Sequence, residues 1–169
     1  MATILGILSA LVLVIYTTVM IKKTGSIPYS ISETYYRLEH KKWFGFCMIL
    51  TAALFMGSAL EQASGMGRIF VMIASVGMIV IGLSPNFKEK TDFVLHLLGS
   101  IAVLIGTQLW ASSVLPWLIM LWLLPLGYLV WYVKKHGTGN LIADIIKAKP
   151  VFWCEATVFL ITYLTLIVA

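Results

Sequence analysis

Apolar residues gather into six runs separated by short polar stretches: Ala2 to Ile21, Trp43 to Leu60, Ile69 to Leu83, Phe93 to Ala111, Val114 to Val133 and Val151 to Ala169. Most approach the ~20 residues that an α-helix needs to cross the hydrocarbon core of a bilayer. The pattern predicts an all-α integral membrane protein with six transmembrane helices, a single domain over residues 1–169.

The polar stretches differ sharply in charge. Residues 22–42 carry Lys22, Lys23, Arg37, Lys41 and Lys42; residues 84–92 carry Lys88 and Lys90; residues 134–150 carry Lys134, Lys135, Lys147 and Lys149. The two intervening loops share only Arg68, so three alternating loops hold eleven of the twelve basic residues. Cationic loops stay on the cytoplasmic side, which places both termini outside, N-out and C-out. The first span reads as retained rather than cleaved as a signal, because no positive charge precedes it and Lys22 and Lys23 follow it. The expected location is a bacterial cytoplasmic (inner) membrane.

Within the first basic loop, Ser30 and Glu33 have the spacing of a capping box. A short helix is predicted to start there and to run through Arg37 to Lys42 into the second span, with Tyr35 and Tyr36 near the headgroups. The short turns around Gly65 and around Ser112 and Ser113 make antiparallel hairpins. Pro125, inside the fifth span, predicts a kink between Leu121 and Pro125. In the last loop Leu141, Ile142, Ile145 and Ile146 share a helical face, with Asp144, Lys147 and Lys149 away from it; this predicts a short amphipathic interfacial helix between spans five and six. Trp43, Trp131, Tyr132 and Trp153 mark the inner interface, and Trp110 and Trp117 the outer one.

Composition narrows the function. With 60% hydrophobic and 11% charged residues there is no room for a soluble domain. The net charge of +5 sits beside membrane spans, so membrane lipids are the expected partners and nucleic acid is not; a homo-oligomer is compatible with the sequence. Cys47 and Cys154 lie inside spans on the cytoplasmic side and read as apolar packing.

Polar groups inside a span are costly and face a bundle interior or an aqueous cavity. Asp92, His96 and Ser100 stack along one face of the fourth span, and Glu155 is the one carboxylate well inside the sixth. At 1.5 Å per residue His96 and Glu155 lie roughly 6 Å below their membrane surfaces, in one layer, and can pair if spans four and six are neighbours. The candidate ligand-binding set is therefore Asp92, His96, Ser100 and Glu155, joined by Ser30, Glu33 and Tyr35 of the first loop. No catalytic residue is identified and no cofactor is expected. The alternative is a metal such as zinc held by Asp92, His96 and Glu155, although a single histidine in the spans is few for such a site. Ser30, Ser32, Ser84 and Ser100 are available hydroxyls, but none stands in a nucleophile elbow.

The stretches Pro28-Tyr29-Ser30-Ile31-Ser32-Glu33-Thr34-Tyr35-Tyr36, Gly77 through Gly82-Leu83-Ser84-Pro85, and Leu95-His96 resemble a group of uncharacterised bacterial six-span membrane proteins. Their Ser-Ile-Ser-x-x-Tyr segment is distantly similar to the start of the FRAG/DRAM membrane proteins, some of which are associated with lipid-anchor remodelling. The resemblance covers about Ile27 to Ser100 and implies a six-span fold and lipid-related work. The ceramidase-like membrane hydrolases also combine Ser, Asp and His near a membrane face, but with paired histidines near the chain end, where this chain has only Glu155. The expected function is binding, with or without transport, of a lipid headgroup or small amphipathic molecule in a cytoplasm-facing polar cavity. The alternatives are a metal-dependent membrane lipid hydrolase and a structural or assembly protein.

Overall fold

The computed structural model describes residues 1–168, and among these every regular element is helical. Helices α1 (Ala2–Thr24), α2 (Lys42–Gln62), α3 (Met66–Leu83), α4 (Lys90–Val114) and α7 (Pro150–Val168) are long and apolar enough to cross a membrane. The sixth such segment, Pro116–His136, is a 3-10 turn over Pro116–Trp122 continued by α5 (Leu123–His136). A short α6 (Leu141–Lys147) precedes α7. Helix α1 packs on α2, α2 on α3, α3 on α4, α4 on α7, and α7 back on α1; α5 lies outside this ring against α6 and α7.

Glycine determines how closely the ring closes. A Cβ on Gly77 of α3 would lie 2.7 Å from the Gly99 carbonyl oxygen of α4, and one on Gly99 would lie 2.8 Å from the Gly77 carbonyl oxygen. Farther along, a Cβ on Gly106 would come within 2.6 Å of the Phe70 carbonyl oxygen. The two backbones touch, the packing that small residues permit between membrane helices. Elsewhere hydroxyls join helices. The Ser9 hydroxyl donates to the Thr51 carbonyl at 2.8 Å and so accepts from the Tyr163 hydroxyl at 2.7 Å, which links α1, α2 and α7.

Three expectations are corrected. The helix predicted from Ser30 into the second span is broken: a 3-10 turn covers Ser32–Arg37, Leu38 is extended, and α2 starts at Lys42. Leu38, in its extended conformation, packs against the core. At Pro125 a uniform kinked helix is replaced by a change of winding. The α-register restarts at Leu123, so Pro125 falls in the first turn, where its missing N–H needs no partner. Trp110 is no interfacial anchor. It is fully buried, edge-on to Phe55 at 5.7 Å, while Trp117 is exposed. In α6 Leu141, Ile142 and Ile146 are exposed, and Asp144, away from them, is buried, accepting from the Thr138 amide at 2.8 Å and the Thr138 hydroxyl at 2.9 Å.

Candidate functional site

The loop after α1 folds into the basic-loop end of the ring. Gly25 ends α1 in the left-handed conformation, φ 65°, and the chain turns so that Pro28, Ile31 and Thr34 are buried. Thr34 is fixed by the Tyr16 hydroxyl of α1 at 2.5 Å. From α7, the neighbour of α1 in the ring, Glu155 accepts the Ile31 amide at 2.6 Å. Lys149, with a strained φ of 55°, sends its ammonium to the Ile27 carbonyl. The segment is thus held from α1, from the α6–α7 junction and from α7 itself.

Its next residue meets α4. The His96 Nδ1 lies 3.0 Å from the Ser84 carbonyl, and its Nε2 lies 2.9 Å from the Ser32 hydroxyl. A carbonyl only accepts, so Nδ1 carries the proton; in the neutral ring Nε2 then accepts from Ser32. His96 is almost fully buried, and both ring nitrogens are occupied.

Next to this polar group α4 and α7 stand apart and enclose a cavity of about 610 Å³. Met48, Met78 and Ile81 form its back wall; Val103, Val158 and Phe159 extend the apolar lining, and Ser30, Ser32, His96, Ser100 and Glu155 supply the polar atoms. Phe93, Leu97 and Leu104 of α4 border it while remaining 49%, 46% and 40% exposed, so it is open on the α4 side rather than sealed. Toward the opposite end of the bundle Ala111, Leu118 and Ile161 form one buried cluster that closes the gap. A smaller cavity of about 120 Å³ between α5 and α7 shares Trp122, Pro150 and Cys154 with the first.

The predicted site residues divide. Ser30, His96, Ser100 and Glu155 all border the cavity, and α4 packs on α7 as the predicted pairing requires. Among the described residues, however, no hydrogen bond or ion pair joins His96 to Glu155; the Ile31–Ser32 segment lies between them and gives each its own partner. The Ser100 hydroxyl donates to the His96 carbonyl of its own helix at 2.8 Å. Asp92 is half-buried, one turn before His96, and does not border the cavity. Glu33 points away from it, accepting from the Tyr29 amide at 2.5 Å and from Arg37 at 2.7 Å, while the Ser30 hydroxyl oxygen accepts the Glu33 amide at 3.0 Å. Tyr35 packs edge-on to Phe44 at 6.1 Å, on the core side, rather than lining the cavity. No group of three or more His, Cys, Asp or Glu side chains comes together among the described residues, so Asp92, His96 and Glu155 do not form the three-ligand set of the metal alternative.

Sequence reasoning missed Ile31, Trp122, Cys154 and the partnership of Ser32 with His96. Ser32 stands among the hydroxyls the sequence offers, but nothing in the sequence pairs it with His96, and nothing marks the Ile31 amide. No family model, curated protein or solved structure matches this chain. The reading of its function therefore rests on the geometry of the site.

Proposed function

We propose that this protein binds an amphipathic molecule, a lipid or a lipid-like solute, with its chain along the apolar walls between α4 and α7 and its polar group at Ser30, Ser32, His96 and Glu155. The observation that carries this reading is the cavity itself, which has a long apolar lining, a small group of polar atoms and an open side bordered by exposed apolar residues. In the membrane that open side faces lipid chains. The positive-inside rule supports a cytoplasmic position for the polar group, with both termini outside and α6 lying in the inner interface of a bacterial cytoplasmic membrane. A closed bundle with a filled core would favour the purely structural reading; a cavity of this size does not.

The test uses two variants of the full chain, purified in mild detergent, with the copurifying lipids identified by mass spectrometry. Glu155→Gln keeps the shape and the acceptor for Ile31 but replaces the ionisable carboxyl with an amide, so the protein should stay folded while the headgroups of the retained lipids change. Leu104→Trp places a large ring at the open side and should lower the amount of retained lipid several-fold. Unchanged lipid amount and composition in both variants would refute the binding reading.

A further inference from the structure

Ser32 and His96 are 64 residues apart in sequence and are brought within 2.9 Å by the folding of the first loop against α4. The Ser84 carbonyl fixes the ring so that the Nε2 lone pair is directed at a hydroxyl that borders the cavity. These are the components of an activated nucleophile: a hydroxyl, a base within hydrogen-bond reach, and a third group that sets the tautomer of the base. The cavity adds a place for a substrate, since its apolar walls fit an alkyl chain and its lining includes both Ser32 and His96. Ser30 borders the same cavity; its oxygen accepts the Glu33 amide, which leaves its own proton free to donate.

We propose that the protein is a membrane acyl-ester hydrolase, with Ser32 as nucleophile, His96 as general base and a long-chain carboxylic ester as substrate. This rests on the reading of the cavity as the seat of an amphipathic molecule. The Ser32 oxygen attacks the ester carbonyl carbon while its proton passes to His96 Nε2; the carbonyl π bond opens to an oxyanion that accepts from the Ser30 hydroxyl. As the oxyanion collapses, the C–O bond to the alcohol breaks, and the imidazolium gives the alcohol its proton. Water, deprotonated by His96, then attacks the acyl-Ser32 ester and releases the carboxylic acid, with the proton returned to Ser32. The Ser84 carbonyl is a positioning group throughout, holding the Nδ1 proton. A purely structural Ser–His contact shares this geometry but not this reactivity.

The experiment treats full-length protein in nonionic detergent with a decyl fluorophosphonate, whose phosphorus takes a serine oxygen and loses fluoride, and locates the adduct by peptide mass spectrometry. The expected result is an adduct on Ser32, together with hydrolysis of p-nitrophenyl laurate, and a loss of both by at least ~100-fold in Ser32→Ala and His96→Gln. Ser32→Ala removes one hydroxyl and leaves His96 on Ser84, so it carries the test if the histidine variant does not fold. Wild-type protein without an adduct at Ser32, or with laurate hydrolysis equal to that of Ser32→Ala, would overturn the proposal. Binding of a non-hydrolysable dodecyl ether separates the two readings. If the ether binds while Ser32 stays unmodified, the nucleophile falls and the binding cavity stands; if it does not bind, both fall.

Discussion

Helix α4 carries two stripes with identical spacing and opposite fates. Gly99, Val103, Gly106 and Trp110 form one, and all four are buried, Val103 also reaching the cavity wall; Phe93, Leu97, Ser100 and Leu104 form the other and border the cavity while staying partly or well exposed. Both repeat at the interval that keeps residues on one face of a helix, so periodicity alone cannot tell them apart. Side-chain size and the neighbouring helix decide. On the first stripe two glycines bring α4 into backbone contact with α3, whereas on the second, phenylalanine and leucine border the cavity and keep much of their surface exposed. The comparison teaches that a membrane helix can be sealed on one side and open on the other without any change in its hydrophobic pattern.

The largest test of this contrast is Trp110→Ala. Trp110 fills the sealed side against Phe55 with no exposed surface, and its removal leaves a large void. Thermal or denaturant unfolding in detergent should show a loss of about 3–5 kcal/mol. The same truncation at Leu104, on the open stripe, should cost well under half of that. Equal losses at the two sites would mean that the cavity closes in the membrane-like environment and that the stripes do not differ.

Adding one methyl group sharpens the point. Gly99→Ala would push a Cβ to 2.8 Å from the Gly77 carbonyl, a backbone atom that cannot yield without separating α3 from α4, and should cost about 1–3 kcal/mol. Ser100→Ala, the adjacent residue, loses only a hydrogen bond within its own helix and should stay within about 0.5 kcal/mol of wild type. A Gly99→Ala variant as stable as Ser100→Ala would show that the helices have room to spare.

Such pairs also mark what the sequence makes legible. The six spans are readable because the need to satisfy every backbone group in lipid forces long apolar helices, and the structure has six helices of that length and composition. Glu155, His96 and Ser100 are readable as polar residues in costly positions. Ser30 and Glu33 are readable as a local turn, realised in part: the Ser30 oxygen takes the Glu33 amide, but Glu33 takes the amide of Tyr29 instead of that of Ser30. What is not legible is the bridge between Glu155 and the Ile31 amide, 124 residues apart. Its acceptor is an ordinary carboxylate and its donor is a backbone group that every residue but proline has, so no residue type signals it. The burial of Asp144 under Thr138 is hidden for a related reason: the helical face containing Asp144 is amphipathic in either orientation, and a pair of hydrogen bonds from one threonine selects between them.

The smallest effect concerns the loop that closes the open stripe at the basic end. Burial raises the pKa of the Glu33 carboxyl, but the Arg37 guanidinium, the Tyr29 amide and the charge of Lys149 outweigh it and hold the group below its ordinary value of 4.5. A carboxylate with a folded pKa below its unfolded one contributes stability that is fully present above the unfolded value and is lost as pH falls through the folded value. Glu33 should therefore help hold the 3-10 turn above about pH 5 and cease to do so as the medium is acidified through and below the ordinary carboxylate range. Glu33→Gln should remove this component. The difference in stability between wild type and variant, measured in nonionic detergent, should shrink on going from pH 6 to pH 3, by no more than about 1 kcal/mol because water screens the Arg37 pair. A difference that grew on acidification would reverse the sign and place the carboxyl in an environment that favours its neutral form.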